Sequence, residues 1–151
     1  MSELRFRNVE GSPSDPVESW PYEGLVAAIE RGGLSDWRRI AAAVHRAPWG
    51  QVSRRVEEYA SYGEETAVAE LLLETVRRAR AATERAERAE VATRVREAVA
   101  ASGLTARQFA AEVGTSPSRL STYSTGTVQP NAAMLLRIEQ TSHRLARSGH
   151  D

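Results

Sequence analysis

The residue types best suited to chemistry are concentrated in one short segment, GTSPSRLSTYSTG at residues 114–126. Seven of the twelve residues from Thr115 to Gly126 are serine or threonine. Hydroxyl groups can act as nucleophiles, hold a phosphate, or exchange hydrogen bonds with a polar ligand. The serines lack the glycine pattern of a nucleophile elbow, and the segment has no lysine and no phosphate-loop glycine spacing. We therefore interpret these hydroxyls as hydrogen-bonding groups.

No other residues have the spacing of a catalytic or metal site. The three histidines are scattered and form no HExxH pattern, and the absence of cysteine excludes disulfides and thiolate metal sites. The carboxylates of ERAERAE at residues 84–90 alternate with arginine, which is typical of a solvated helix face with Glu84 and Arg88 as an ion pair. The sequence predicts a protein that is not an enzyme and uses no metal and no cofactor.

Charge is distributed unevenly along the chain, although its formal net charge is zero. Residues 1–73 hold 8 arginines and 12 carboxylates, whereas residues 74–151 hold 12 arginines and 8 carboxylates. All basic residues are arginine, which binds phosphate and guanine in bidentate fashion better than lysine does. The two halves are therefore expected to have different roles.

Local capping residues predict the helices that carry the hydroxyl-rich segment. In TARQFAAEV, Thr105 and Gln108 have the spacing of a capping box, and Gly114 suits the left-handed end of that helix. Ser116 is expected to cap the next helix, with Pro117 in its first position and Gly126 at its end.

The periodicity within this second short helix separates a buried face from an outward one. Leu120 and Tyr123 lie at i and i+3 and are predicted to point toward a core. The outward face then carries Pro117, Ser118, Ser121 and Thr122. Two short helices joined by a tight glycine-containing turn and flanked by longer helices form a helix-turn-helix unit.

The stretch from about residue 91 to residue 141 resembles the lambda-repressor/Cro-type helix-turn-helix domain, also called the xenobiotic-response-element type. The residues that carry the resemblance are GLT at 103–105, Ala110, Val-Gly at 113–114, Leu120, Tyr123, Gly126, Pro130 and LLRI at 135–138. The resemblance implies that the helix beginning at Ser116 enters the major groove of double-stranded DNA. It also implies base contacts from positions 117, 118 and 122 and phosphate contacts from Ser116 and Arg119.

Resemblance and outward geometry together give ten candidate DNA-binding residues: Thr105, Arg107, Ser116, Pro117, Ser118, Arg119, Ser121, Thr122, Thr127 and Gln129. Three positions depart from the family pattern. Ala106 stands where the family often has glutamine, Ser124 where it often has an acidic residue, and Thr127 where it often has a basic residue. Because the outward face has no long amide, we expect modest direct readout of bases and more reliance on DNA shape and phosphates.

The N-terminal part shows three short helical patterns and no known motif. Ser19 and Ser35 are candidate caps for the first two helices, and residues 4–9 suggest a short extended stretch. The three tryptophans, Trp20, Trp37 and Trp49, are predicted to pack into one small core.

The predicted fold class is all-α, with a small N-terminal helical domain, a long connecting helix and a C-terminal helix-turn-helix domain of four to five helices. Residues 66–102 lack proline and glycine and predict one long helical stretch. The expected domains are residues 1–65 for dimerisation or partner binding, 66–90 as connecting helix, 91–145 for DNA binding, and 146–151 as a tail.

The leading hypothesis is a DNA-binding transcriptional regulator that acts as a homodimer. One alternative is an antitoxin-like module whose acidic N-terminal half binds a protein partner while its helix-turn-helix autoregulates. Another is a chromosome-binding protein of low sequence specificity. With no long apolar run and no secretory signal, the sequence predicts a cytoplasmic, nucleoid-associated protein that does not contact a membrane.

Overall fold

Seven α-helices and one short 3-10 turn make up the computed structural model, which describes residues 3–7 and 10–150. The turn is Val17–Ser19, and the helices are α1 (Tyr22–Arg31), α2 (Leu34–Arg46), α3 (Gln51–Tyr62), α4 (Ala67–Ser102), α5 (Ala106–Val113), α6 (Pro117–Thr125) and α7 (Ala132–Ser148). No strand occurs within the described ranges, so the predicted all-α class is confirmed. Residues 4–7 of the predicted extended stretch form no strand, and residues 8 and 9 lie outside the described part.

The longest element, α4, consists mainly of the strong helix formers alanine, arginine, glutamate and leucine. The Thr66 hydroxyl precedes it and accepts a hydrogen bond from the N–H of Ala69 at 3.1 Å. Gly103, with φ of 72°, follows its end. The predicted long helix, which connects the N-terminal helices to the C-terminal ones, is therefore confirmed. None of the helices described is long and apolar enough to cross a lipid bilayer.

The chain divides into two compact units between Thr83 and Glu84, within the segment predicted as the connecting helix. The N-terminal unit buries one face of each of α1, α2 and α3 together with the first part of α4. Its largest fully buried side chains are Trp20, Leu25, Ile40, Val44, Val56, Leu72 and Val76.

Both predicted serine caps in the N-terminal unit are wrong. Ser19 belongs to the 3-10 turn, where its hydroxyl donates to the Pro16 carbonyl at 2.7 Å, and α1 starts after Pro21. Ser35 lies inside α2, which starts after Gly33. The Asp36 carboxylate accepts a hydrogen bond from the Gly33 N–H at 2.9 Å. The side chain that caps the start of α2 is therefore that of Asp36, the residue after Ser35.

The three tryptophans do not share one core, contrary to the prediction. Trp20 is buried, and its indole N–H donates to the Asp15 carbonyl at 3.0 Å. Trp37 is half-buried, and its indole N–H donates a hydrogen bond to the Ala28 carbonyl at 2.9 Å. Trp49 is 46% exposed, since it lies in the turn before α3, where helical periodicity does not apply.

The C-terminal unit surrounds Phe109 with residues from the end of α4 and from α5, α6 and α7. Its buried members are Val95, Ala98, Phe109, Ala110, Val113, Leu120, Tyr123 and Ile138. Buried Ser142 on α7 donates to the Ala98 carbonyl on α4 at 2.6 Å. The inward orientation predicted for Leu120 and Tyr123 is confirmed.

Candidate nucleic-acid interface

The turn between α5 and α6 is built around a left-handed glycine. Gly114 has φ of 83° and ψ of 36°, and its N–H and that of Thr115 donate to the Ala110 carbonyl at 3.0 and 2.9 Å. A Cβ added at Gly114 would meet no atom within 4 Å. Glycine is therefore favoured by the backbone conformation and not by lack of space.

Both helices of the motif begin with the caps that the sequence predicts. The Thr105 hydroxyl accepts from the Gln108 N–H at 3.2 Å, and the Gln108 side chain accepts from the Thr105 N–H at 3.0 Å. The Ser116 hydroxyl accepts from the Arg119 N–H at 3.0 Å, with Pro117 in the first position of α6. Thr105 and Ser116 thus fix the helix starts, where free backbone N–H groups favour an anion.

The hydroxyl groups of α6 fall into two kinds. Those of Thr122, Ser124 and Thr125 donate within the helix, to the carbonyls of Arg119 at 2.6 Å, Leu120 at 3.1 Å and Ser121 at 3.1 Å. Ser118 and Ser121 are exposed, and their hydroxyls have no hydrogen-bond partner in the described ranges. Among the hydroxyl groups of α6 itself, only those of Ser118 and Ser121 therefore have a free donor, while Thr122 offers an acceptor lone pair and a methyl group.

The surface around the turn and α6 carries cations without neighbouring acids. No aspartate or glutamate occurs from residue 113 to residue 138. Glu112, just before this range, has a carboxylate oxygen 3.5 Å from a guanidinium nitrogen of Arg144. Arg107 and Arg119 are exposed, and in the described part of the chain no carboxylate lies within 4.0 Å of either guanidinium. This surface is therefore electrostatically suited to a polyanion.

The remaining candidate residues lie after α6. Thr127 and Gln129 are exposed, and the Thr127 hydroxyl is 2.8 Å from that of Thr125. Asn131, which is not among the predicted caps, caps α7 by accepting a hydrogen bond from the Met134 N–H at 2.8 Å. Its signal was an asparagine directly before an apolar periodic stretch.

The dimensions of α6 fit the major groove of DNA. An α-helix with its side chains is about 10–12 Å across, which matches the groove width of about 12 Å, and the 9 residues of α6 extend it for about 13 Å. Its outward positions carry short side chains or proline, so the backbone can approach a base edge closely.

The comparison with known families agrees with this geometry. Residues 95–141 match the helix-turn-helix family. This match confirms the resemblance to the lambda-repressor/Cro type, and the helix-turn-helix domain is of the DNA-binding regulator kind. The N-terminal part matches no family, and no curated protein or solved structure is significantly similar to the chain.

Arg96, which contacts the C-terminal end of α6, is not among the ten candidate DNA-binding residues predicted from the sequence. A guanidinium nitrogen of Arg96, on α4, donates to the Ser124 carbonyl at 2.6 Å, and the other terminal nitrogen donates to the Thr93 hydroxyl at 3.0 Å. A cation at a helix C-terminus satisfies free carbonyls there. Sequence alone could not identify it because the contact joins residues 28 positions apart.

Proposed function

We propose that the protein is a transcriptional regulator that inserts α6 into the major groove of double-stranded DNA. The observation that carries the proposal is the exposed α6 face, with free serine hydroxyls and an unpaired Arg119, on a helix-turn-helix scaffold. In this arrangement Ser118 and Ser121 exchange hydrogen bonds with base edges, and the Thr122 methyl group contacts a thymine methyl. Arg119, Arg107 and the helix starts at Thr105 and Ser116 bind backbone phosphates.

A homodimer is the proposed binding form. Short hydroxyls discriminate bases less than bidentate amides or arginines, which contribute about 1–3 kcal/mol per base. Two half-sites read together would add the contacts of two domains, and two-fold symmetric sites are the usual partners of such dimers. The mass of the protein alone and bound to DNA, measured by sedimentation, tests this; a monomer in both states contradicts it.

The direct test is binding to DNA of the chain's own upstream region. We expect salt-sensitive binding by fluorescence anisotropy, tighter than to a random duplex of equal length. No salt-sensitive binding below about 10 μM to either duplex would reject the proposal, because ordinary non-specific binding already reaches that strength. Equal affinity for both duplexes would favour the chromosome-binding alternative, which the lack of a long amide side chain on the α6 face supports.

Arg119→Ala tests the phosphate role within this proposal. The substitution keeps the backbone N–H that the Ser116 hydroxyl accepts from, so α6 should remain capped. We expect affinity to fall equally on both duplexes, and the slope of log K against log salt to decrease in magnitude by about one. Arg147→Ala on α7 is the matched control; an Arg119 variant with its slope unchanged would exclude the contact.

A further inference from the structure

A basic groove runs between α4 and the C-terminal end of α6, within the C-terminal unit. Its volume is about 390 Å³, and it is lined by Arg85, Arg88, Ala89, Ala92, Thr93, Arg96, Thr125 and Gly126. The α4 residues recur at helical spacing and share one face. A Cβ added at Gly126 would lie 3.6 Å from the Ala92 Cβ and 3.9 Å from the Arg88 Cγ, so the end of α6 directly borders this face.

The groove has three guanidinium groups and no carboxylate in its lining. The predicted ion pair of Glu84 with Arg88 does not form, and no carboxylate of the described residues lies within 4.0 Å of the guanidinium of Arg85 or Arg88. Glu87 and Glu90 fall on the opposite side of α4 by helix geometry. The guanidinium groups of Arg85 and Arg88 are therefore exposed and available to bind an anion.

The two ends of α6 interact differently with a DNA phosphate. A helix about 10–12 Å across fills the width of the major groove, whose walls are the two phosphate backbones, so the flanks and both ends of an inserted α6 lie near backbone phosphates. The N-terminal end attracts a phosphate through its N–H groups, whereas the C-terminal end presents carbonyls that repel one. Arg96 already satisfies the Ser124 carbonyl, which leaves Arg85 and Arg88 to attract the anion.

We propose that Arg85 and Arg88 bind neighbouring backbone phosphates beside the C-terminal end of α6. This inference rests on the proposed insertion of α6 and adds a second backbone contact to that of Arg119. The contact lies on α4 before residue 95, outside the stretch that matches the helix-turn-helix family. Arginine suits this role because its planar donors match phosphate oxygens in bidentate fashion.

The test compares salt dependence for the full chain and two double variants. Arg85→Gln with Arg88→Gln removes two charges from the groove but keeps much of each stem and a residue with good helix propensity. Arg54→Gln with Arg147→Gln is the matched control, because it removes two exposed charges that do not line the groove and have no carboxylate of the described residues within 4.0 Å. Binding of an upstream duplex and a random duplex of about 30 base pairs is measured by anisotropy over a range of salt concentrations.

We expect the groove variant to lower the magnitude of the salt slope by about two, equally on both duplexes, because each lost phosphate contributes about 0.9. The control variant should change the slope by less than about 0.5. A groove variant with the wild-type slope overturns this inference alone. Absence of wild-type binding to both duplexes overturns the proposed function and the inference with it. If the groove variant loses helical circular dichroism, the single variant Arg88→Gln is used instead. It should lower the magnitude of the salt slope by about one.

Discussion

At the scale of single residues, Ser118 and Ser121 differ from the other hydroxyls of α6 because no described residue hydrogen-bonds to their side chains. The positions of Leu120 and Tyr123 predict the outward face, and the resemblance places both Ser118 and Thr122 at base-contacting positions. The structure separates them, since the Thr122 hydroxyl donates to the Arg119 carbonyl at 2.6 Å. A backbone acceptor one turn away was not visible in the spacing of residues.

We expect Ser118→Ala with Ser121→Ala to alter base preference more than overall affinity. Thr122→Val is the matched control, since it removes a hydroxyl whose proton is already used and keeps a methyl group. Binding to a randomised duplex pool followed by sequencing gives the preference profile for each variant. The proposed base contacts are refuted if the serine variant keeps the wild-type profile.

At the scale of helices and turns, prediction succeeded where a helix start depends on residues close in sequence. Thr105 with Gln108, Gly114, and Ser116 with Pro117 all behave as expected because each cap involves neighbours three or four residues apart. The predicted caps Ser19 and Ser35 are wrong because Ser19 lies in a 3-10 turn and because the Asp36 carboxylate, not the Ser35 hydroxyl, accepts from the backbone at the start of α2. The basic groove depends on packing between α4 and α6, which local patterns do not encode.

Gly114→Ala should destabilise the C-terminal unit by about 1–2 kcal/mol, the usual cost of a left-handed conformation for an L-residue. The site has room for a Cβ, so no steric clash adds to this cost. Gly114→Asn should recover part of the loss, because asparagine tolerates that conformation better. Urea denaturation followed by circular dichroism measures both variants. Equal stability of the alanine variant and the wild type would show that the turn relaxes to a different conformation.

At the scale of the whole molecule, the uneven charge of the sequence is half as large when it is counted by compact unit: residues 1–83 hold 11 arginines and 13 carboxylates, and residues 84–151 hold 9 arginines and 7 carboxylates. The boundary between Thr83 and Glu84 places every candidate DNA-binding residue in the C-terminal unit. It also leaves the acidic N-terminal unit, with its own buried core, free for the proposed roles in dimerisation or partner binding. Composition could suggest this division of roles, but it could not locate the boundary, because α4 continues through it without a break.

The carboxylate-free surface of the turn and α6 also determines how binding responds to acidity. Every cation proposed to contact DNA is a guanidinium, which stays protonated throughout the physiological range, and no histidine belongs to the set. At fixed ionic strength we expect DNA affinity to vary less than about threefold between about pH 6 and about pH 8. Anisotropy titrations in matched buffers measure this. A steep change across that range would mean that a titrating group outside the proposed surface takes part, whereas a flat profile describes a regulator insensitive to cellular acidification.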